Sequence, residues 1–261
     1  MPAAPQRNRI IITGASSGLG GALAQLYAAP GRTLGLIGRN EERLSGVAAL
    51  CRQAGAEVLA ATLDVGDADA LGAWLSGFTR TAPADLVIAN AGTSAGPAAG
   101  TMTEGLALAS RQVKTNLLGV INTIEPLLPA LIERGAGQFA VIASVAGYRG
   151  LPYSPAYSAS KAGARIYGEA IRALLAPAGI AVTVVCPGFF ASPMTNRFKG
   201  KTPFLLSLDR TAAIVKQGID RRQRRVGFPL PLVLALRFAD LLPAGIGDAI
   251  LRANRFHIVS D

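Results

Sequence analysis

The chain has 261 residues, half of them hydrophobic and only 16% charged, with 30 Gly, 16 Pro and a formal net charge of +10. Such a length supports one good core, and such a composition excludes a disordered chain or a coiled coil. A single histidine, His257, and two cysteines without metal or redox spacing, Cys51 and Cys186, argue against a multi-histidine metal centre or a histidine-based nucleophilic triad, so no metal site is expected. Taken in chain order, short aliphatic runs read as strands: "RIIIT" (9–13), "TLGLIG" (33–38), "EVLAATL" (57–63), "DLVIAN" (85–90), "QFAVIAS" (138–144) and "IAVTVVC" (180–186). Between them, 18–29, 40–54, 67–80, 103–134 and 155–177 read as helices. The last third departs from this alternation, with a loop over 189–202, a helix over 207–222, a short strand at 225–228 and an apolar helix over 230–253 broken at Pro243-Ala244-Gly245.

Repeated strand–helix units joined by right-handed crossovers give a parallel sheet with helices on both faces. The expected architecture is α/β: a Rossmann-type doubly wound sheet in a single domain spanning 1–261, without internal repeats or linkers. Cys51 falls in a helix and Cys186 in a strand, as buried reduced thiols would. The opening "MPAAPQRNRIIITG" has no apolar stretch of secretory length, so a cytoplasmic protein is expected.

The positive charge is uneven. Residues 196–261 carry twelve Lys/Arg against five Asp/Glu, with Arg221, Arg222, Arg224 and Arg225 the densest part, followed by "VGFPLPLVLAL". There is neither a nucleic-acid-binding motif nor aromatic interleaving, so no nucleic-acid partner is expected. A solvated basic face is the plain reading of this tail, and attraction to an acidic ligand or an anionic membrane surface is the sharper one.

In doubly wound sheets, ligands lie beyond the carboxyl ends of the strands, and the polar residues of interest here stand at those ends. "TGASSGLG" (13–20) follows the first strand and opens a helix, which is the context in which glycines let a pyrophosphate meet the helix N-terminus. "YSASK" (157–161) puts Tyr157 and Lys161 one helical turn apart on a common face, a pairing suited to handling a proton, with Ser144 thirteen residues earlier at a strand end.

Together with Asp64-Val65, "NAG" (90–92), Asn116 and "PG" (187–188), these motifs make the chain resemble the short-chain dehydrogenase/reductase family over roughly residues 8–195. The resemblance implies a nicotinamide cofactor and specific roles. Tyr157 would be the general acid or base, and Lys161 would lower the phenol's pKa from about 10 while gripping the ribose. Ser144 would orient the substrate oxygen, and Asn116 would hold a water linking Lys161 to solvent, unless it is simply a buried amide satisfying backbone. Gly14, Ser16, Ser17, Gly18, Leu19 and Gly20 would cradle the pyrophosphate. Asp64 would meet the adenine amino group, or else cap the next helix, with Val65 supporting the ring. Asn90, Ala91 and Gly92 would line the cleft, Asn90 also tying strands together. Pro187, Gly188, Phe190 and Ser192 would meet the nicotinamide end, with Ser192 in place of the usual Thr and Phe190 larger than its counterparts.

At the end of the second strand, Gly38-Arg39 offers a guanidinium where an NAD enzyme usually has a carboxylate, so NADP(H) is expected in preference to NAD(H). The alternative is an Arg39 that only faces solvent, and Ser16 and Ser17 stand where many NADP-preferring relatives carry a further basic residue. The segments 93–100, 145–156 and 194–208 would shape the substrate pocket, with 189–261 as substrate-side loop and C-terminal extension. They hold Tyr148, Tyr153, Phe198, Phe204 and leucines but no carboxylate, which favours a hydrophobic carbonyl or alcohol. The tail would pack across that pocket, join a subunit contact, or touch a membrane peripherally. A homodimer or homotetramer is implied by the resemblance. A non-catalytic nucleotide-binding or scaffold protein on the same fold is the alternative, against which Tyr157 and Lys161 both stand.

Overall fold

A computed structural model describes residues 8–98, 100–253 and 256–258. Residues 1–7, which bear on the N-terminal reading, and position 99 of the 93–100 segment lie outside them. In chain order the elements are β1 (Arg9–Thr13), α1 (Gly18–Tyr27), β2 (Thr33–Gly38), α2 (Glu41–Gln53), β3 (Glu57–Thr62), α3 (Ala68–Thr79) and β4 (Leu86–Ala89). A long helical run follows: α4 (Leu106–Val113), a π-helical turn Lys114–Leu118, α5 (Gly119–Ile124), a 3-10 turn Glu125–Leu127 and α6 (Leu128–Arg134). Next come β5 (Gly137–Ile142), a 3-10 turn Val145–Gly147, α7 (Pro155–Leu175), β6 (Ile180–Pro187), α8 (Pro193–Asn196) and β7 (Phe198–Lys199). The chain continues through α9 (Leu208–Asp220), β8 (Arg225–Phe228), α10 (Leu230–Leu241), α11 (Ala244–Ala253) and β9 (His257–Ile258).

Seven strands form one parallel sheet in the order β3-β2-β1-β4-β5-β6-β8. The isoleucines of β1 show why it is covered on both sides. Ile10 and Ile12 point into a core shared with α1, α2 and α9, while Ile11 points into a second core shared with α3, α5 and α7. Alternate residues of a strand face opposite sides, so a strand buried on both faces is apolar throughout. Each fully buried aliphatic side chain contributes about 1.5–3 kcal/mol. Cys51 of α2 and Cys186 of β6 are buried free thiols. The helical run 106–134 is long and apolar enough to cross a bilayer by length and composition, but half of its apolar window is buried, with α5 packed on α3 and β4.

Strand order reverses between β1 and β4, because the chain fills the sheet outward first on one side and then on the other. A crevice opens above that point, beyond the carboxyl ends of the strands. The opposite, amino ends of β1 and β4 are tied down by Asp85, whose carboxylate accepts from the backbone amides of Asn8 and Arg9 at 2.9 Å each and pairs with Arg134 at 3.0 Å.

Sequence and structure part in the last third. The expected loop 189–202 contains α8 and β7, and β7 pairs antiparallel with β9, a strand the sequence did not announce. Two-residue strands are too short to carry a hydrophobic period, so only the partner reveals them.

Candidate active site

The β1–α1 turn is built around Gly14, at φ +68°, whose Cβ, if present, would lie 2.7 Å from the Ala91 Cα. A Cβ on Gly20 would meet the Gly14 carbonyl oxygen at 2.3 Å, so the first turn of α1 rests directly on this loop. Ser17, just before α1, makes no capping hydrogen bond through its side chain, and the first turn carries no acidic residue. The N-terminal amides and the positive end of the helix are therefore free for an anion, which fits a pyrophosphate.

This turn forms one wall of a cavity of about 540 Å³. Of the expected cofactor residues, Gly14, Ser16, Ser17, Gly18, Leu19, Arg39, Asp64, Val65, Asn90, Ala91 and Gly92 line it, and so do Tyr157, Lys161, Pro187, Gly188, Phe190 and Ser192. Gly20 does not; its place is beneath the turn, where the lack of a side chain lets α1 approach. Asn90 ties β4 to β1, donating through Nδ2 to the Thr13 carbonyl at 2.9 Å, while its own amide donates to Thr13 Oγ1 at 3.0 Å. Asp64 accepts from the Gly66 amide through Oδ1 at 2.8 Å, and the cap of α3 is Asp67. A Cβ on Gly38 would lie 2.9 Å from the Ser16 Cβ, so the end of β2 has no room for a carboxylate side chain there. After Gly38, Arg39 is the next side chain to line the cavity, with one guanidinium nitrogen 3.9 Å from Asp64. Arg43, one turn on, lines it too.

Ser144 follows β5, and its Oγ accepts from the Ala146 amide at 3.1 Å. Tyr157 and Lys161 project from α7, all three line the cavity, and the Ser144 hydroxyl is the polar group that acts on the phenol. Lys161 is 4% exposed and donates to the Ile142 carbonyl at 2.9 Å. Burial drives both titrations. It lowers Lys161 to about 8 and raises Tyr157 above its usual value, with the Ser144 hydrogen bond pulling the phenol the other way. In the protein alone, desolvation is the largest influence on the phenol, followed by Ser144.

Asn116 sits in the π-helical turn, fully buried. Its Nδ2 donates to the Thr93 carbonyl and to Ser160 Oγ, both at 2.9 Å, and its Oδ1 accepts from the Thr93 amide at 2.8 Å. It does not line the cavity. Its amide is committed to backbone and Ser160, although a Cβ on Gly92 would lie 3.3 Å from both Asn116 Oδ1 and Lys161 Nζ, so the two groups approach the same point.

The model of the short chain dehydrogenase family matches residues 8–202, three quarters of the chain. The chain belongs to the short-chain dehydrogenase family. A Myxococcus xanthus relative described as an oxidoreductase is 35% identical over 94% of this chain and 96% of its own length. A short-chain dehydrogenase from Sphingobium yanoikuyae, solved with NADPH, superposes with a TM-score of 0.77 at 26% identity, covering 95% of this chain and 96% of that one. Another from Mycobacterium paratuberculosis, solved with NAD, superposes at 0.76 and 22% identity over 87% and 98%, a likeness of fold.

In this short-chain dehydrogenase a second cavity, of about 600 Å³, meets the first at Ser144, Tyr157, Gly188, Phe190, Ser192 and Met194. Its walls are largely apolar, and Phe198 reaches it as the sequence implied. Tyr148, Tyr153 and Phe204 do not. Tyr148 is buried with its ring between the guanidinium carbons of Arg165, at 5.1 Å, and Arg237, at 4.9 Å. Tyr153 donates its hydroxyl to the Arg252 carbonyl, and Phe204 is 56% exposed. In their place, Leu232 and Leu236 of α10, Leu251 of α11, and Phe256 roof the cavity. Ser192 caps α8, its Oγ accepting from the Thr195 amide at 3.1 Å.

The roof is fastened to the catalytic turn by Arg149, five residues after Ser144. One of its nitrogens lies 3.3 Å from Asp240 of α10 and another 3.0 Å from Asp248 of α11. An arginine amid uncharged neighbours gave the sequence no hint of this, since the two acids lie 91 and 99 residues away. Arg149→Ala is expected to speed hydrogen exchange in 230–253 by about three- to tenfold while leaving the sheet amides unchanged, the size set by partly exposed carboxylates. Uniform protection in both proteins would show that apolar packing alone holds the roof.

Proposed function

We propose that this protein is an NADP(H)-dependent oxidoreductase that interconverts a carbonyl and an alcohol on a hydrophobic substrate. The observation that carries the reading is the meeting of two cavities at Tyr157 and Ser144, one polar with a helix N-terminus in its wall and one apolar. A nicotinamide dinucleotide, when bound, supplies the hydride donor or acceptor. Gly14, Ser16, Ser17, Gly18 and Leu19 hold its phosphates against α1, and Asp64 and Val65 flank the adenine. Pro187, Gly188, Phe190 and Ser192 border the nicotinamide end, beside Asn90, Ala91 and Gly92.

Ser144 and Tyr157 orient the substrate oxygen, and the phenol gives its proton as negative charge develops there. Burial keeps that phenol protonated, which suits a donor in the reducing direction. Lys161, lowered to about 8, is still mostly an ammonium at neutral pH and stabilises the phenolate left behind. Asn116 fixes the Thr93 backbone and Ser160 beneath this pair. A protein that only sensed the nucleotide would have no use for Ser144 and Tyr157 facing an apolar cavity.

Arg39 and Arg43 support the NADP(H) assignment. A 2′-phosphate calls for a cation, and Arg43 supplies the second basic group that the glycine loop lacks. The outer face of α10 supports a peripheral contact with an anionic membrane: Leu230, Leu234, Phe238 and Leu241 are 62%, 55%, 64% and 82% exposed. Exposed Leu118, Ile166 and Leu174 on the π-helical turn and α7 support a homodimer or homotetramer. A cytoplasmic location, peripheral to the membrane, accommodates all of this.

Tyr157→Phe is expected to lose at least about a hundredfold in kcat on hydrophobic ketones, with NADPH affinity retained in a fluorescence titration. An equally active variant would remove Tyr157 from the mechanism. Arg39→Asp is expected to weaken NADPH by roughly tenfold or more while sparing NADH; unchanged NADPH affinity would return Arg39 to a solvent-facing role. Sedimentation with and without anionic liposomes is expected to give a multiple of the 26.8 kDa chain mass and pelleting with the vesicles at low salt. A monomer that stays in the supernatant would dismiss both contacts.

A further inference from the structure

Among the described residues lining the second cavity, Lys201 is the only charged one, and none is acidic. The segment that brings it there, 188–208, holds Arg197, Lys199 and Lys201 and no carboxylate at all. Lys201 has no hydrogen bond or ion pair among the described residues. Lys201 is itself exposed, but the backbone leading to it is anchored. Phe198 stacks on Phe256 at 4.7 Å and tilts against Phe189 at 5.0 Å, and β7, which ends two residues before Lys201, pairs with β9. A Cβ on Gly200 would lie 2.6 Å from the Phe256 Cβ, so the backbone one residue away is pressed against the cavity wall.

A lysine on an apolar wall keeps its ammonium in water at the rim while its stem adds to the apolar lining. Such a cation, left without a protein partner, attracts an anion, and the low-dielectric wall beside it strengthens the attraction. Tyr157 and Ser144 mark the junction of the two cavities, where the reacting carbonyl would sit, and Lys201 lines the second cavity away from that junction. We infer that the substrate is an amphiphile, an apolar carbonyl compound carrying an anionic group remote from the reacting carbon, and that Lys201 is the residue that selects for that group. The inference rests on reading this cavity as the substrate site. A carboxylate and a phosphate monoester present the same chemistry to an ammonium, and both belong to the class.

The test uses the full-length enzyme with NADPH and four substrates sharing one medium-length oxo-alkyl chain, ending in a carboxylate, a phosphate monoester, a methyl ester or an amine. For the wild type, kcat/KM for the anionic members is expected to exceed that for the ester by about five- to tenfold at low salt, and to fall toward it as salt rises. The stronger of the two anionic substrates tells which end group is preferred. In Lys201→Met the anion-to-ester ratio should collapse to about one, and in Lys201→Glu the amine should become the preferred substrate. A wild-type ratio of one, or a Lys201→Met enzyme that keeps the wild-type ratio, overturns the inference. If none of the four is reduced, the proposed reaction fails, and calorimetric binding of the carboxylate and the ester to wild type and Lys201→Met decides the recognition step separately: selective binding lost in the variant upholds it, and equal binding ends it.

Discussion

Taking a lysine side chain out of water is costly, and much of the candidate site is arranged around one. Lys161 is 4% exposed, and its one hydrogen bond among the described residues is to the Ile142 carbonyl at the end of β5. An isolated buried cation would lose its proton or unfold its surroundings. Here a strand end supplies the acceptor, and Gly92 leaves open the space that Lys161 and Asn116 both approach. The depressed pKa of the lysine and the raised pKa of Tyr157 are two results of the same dehydration. Groups whose burial alters their titration, set where two cavities join, are what proton transfer at a developing alkoxide requires.

Parallel strand ends make such a place possible. Carbonyls at the last residues of β4, β5 and β6 have no further strand partner, so the connecting loops must satisfy them or leave them to a ligand or a buried donor. Around these ends Asn90 and Asn116 donate to the Thr13 and Thr93 carbonyls, while the Thr13 and Ser144 hydroxyls accept from the Asn90 and Ala146 amides. At the amino ends of the strands, Asp85 and Arg134 perform a purely structural version of the same task. The asymmetry between tied amino ends and open carboxyl ends is what leaves a polar, ligand-sized cavity beside a closed core.

The C-terminal third then gives the crevice its apolar half. The hairpin of α10 and α11 turns Leu232, Leu236 and Leu251 inward and leaves Leu234, Phe238 and Ile246 outward. Arg149 joins both helices to the turn that carries Ser144, so roof and catalytic residues share an anchor. Substrate size and chemistry are thereby set largely by residues far along the chain from the glycine loop, which has its own, cofactor-facing constraints.

Read alone, the sequence determined the sheet, because strands buried on both faces must be apolar runs, and runs such as "RIIIT" and "IAVTVVC" have no other stable use in a chain of this length. It also brought out the cofactor-side residues, since the glycine turn, Gly38-Arg39 and the Tyr157–Lys161 spacing are local patterns of a few residues whose geometry is fixed by one turn or one helix. The tertiary structure decided what local spacing cannot carry. Tyr148 belongs to an arginine sandwich instead of the pocket, Asn116 is consumed by Thr93 and Ser160, Arg43 joins Arg39, and Phe256 with the α10–α11 hairpin closes the substrate cavity. Most of these contacts join residues twenty to more than ninety positions apart, and Arg43 is placed by how α2 lies on the sheet. The partner that settles each side chain's direction is supplied by packing, which no short window of sequence contains.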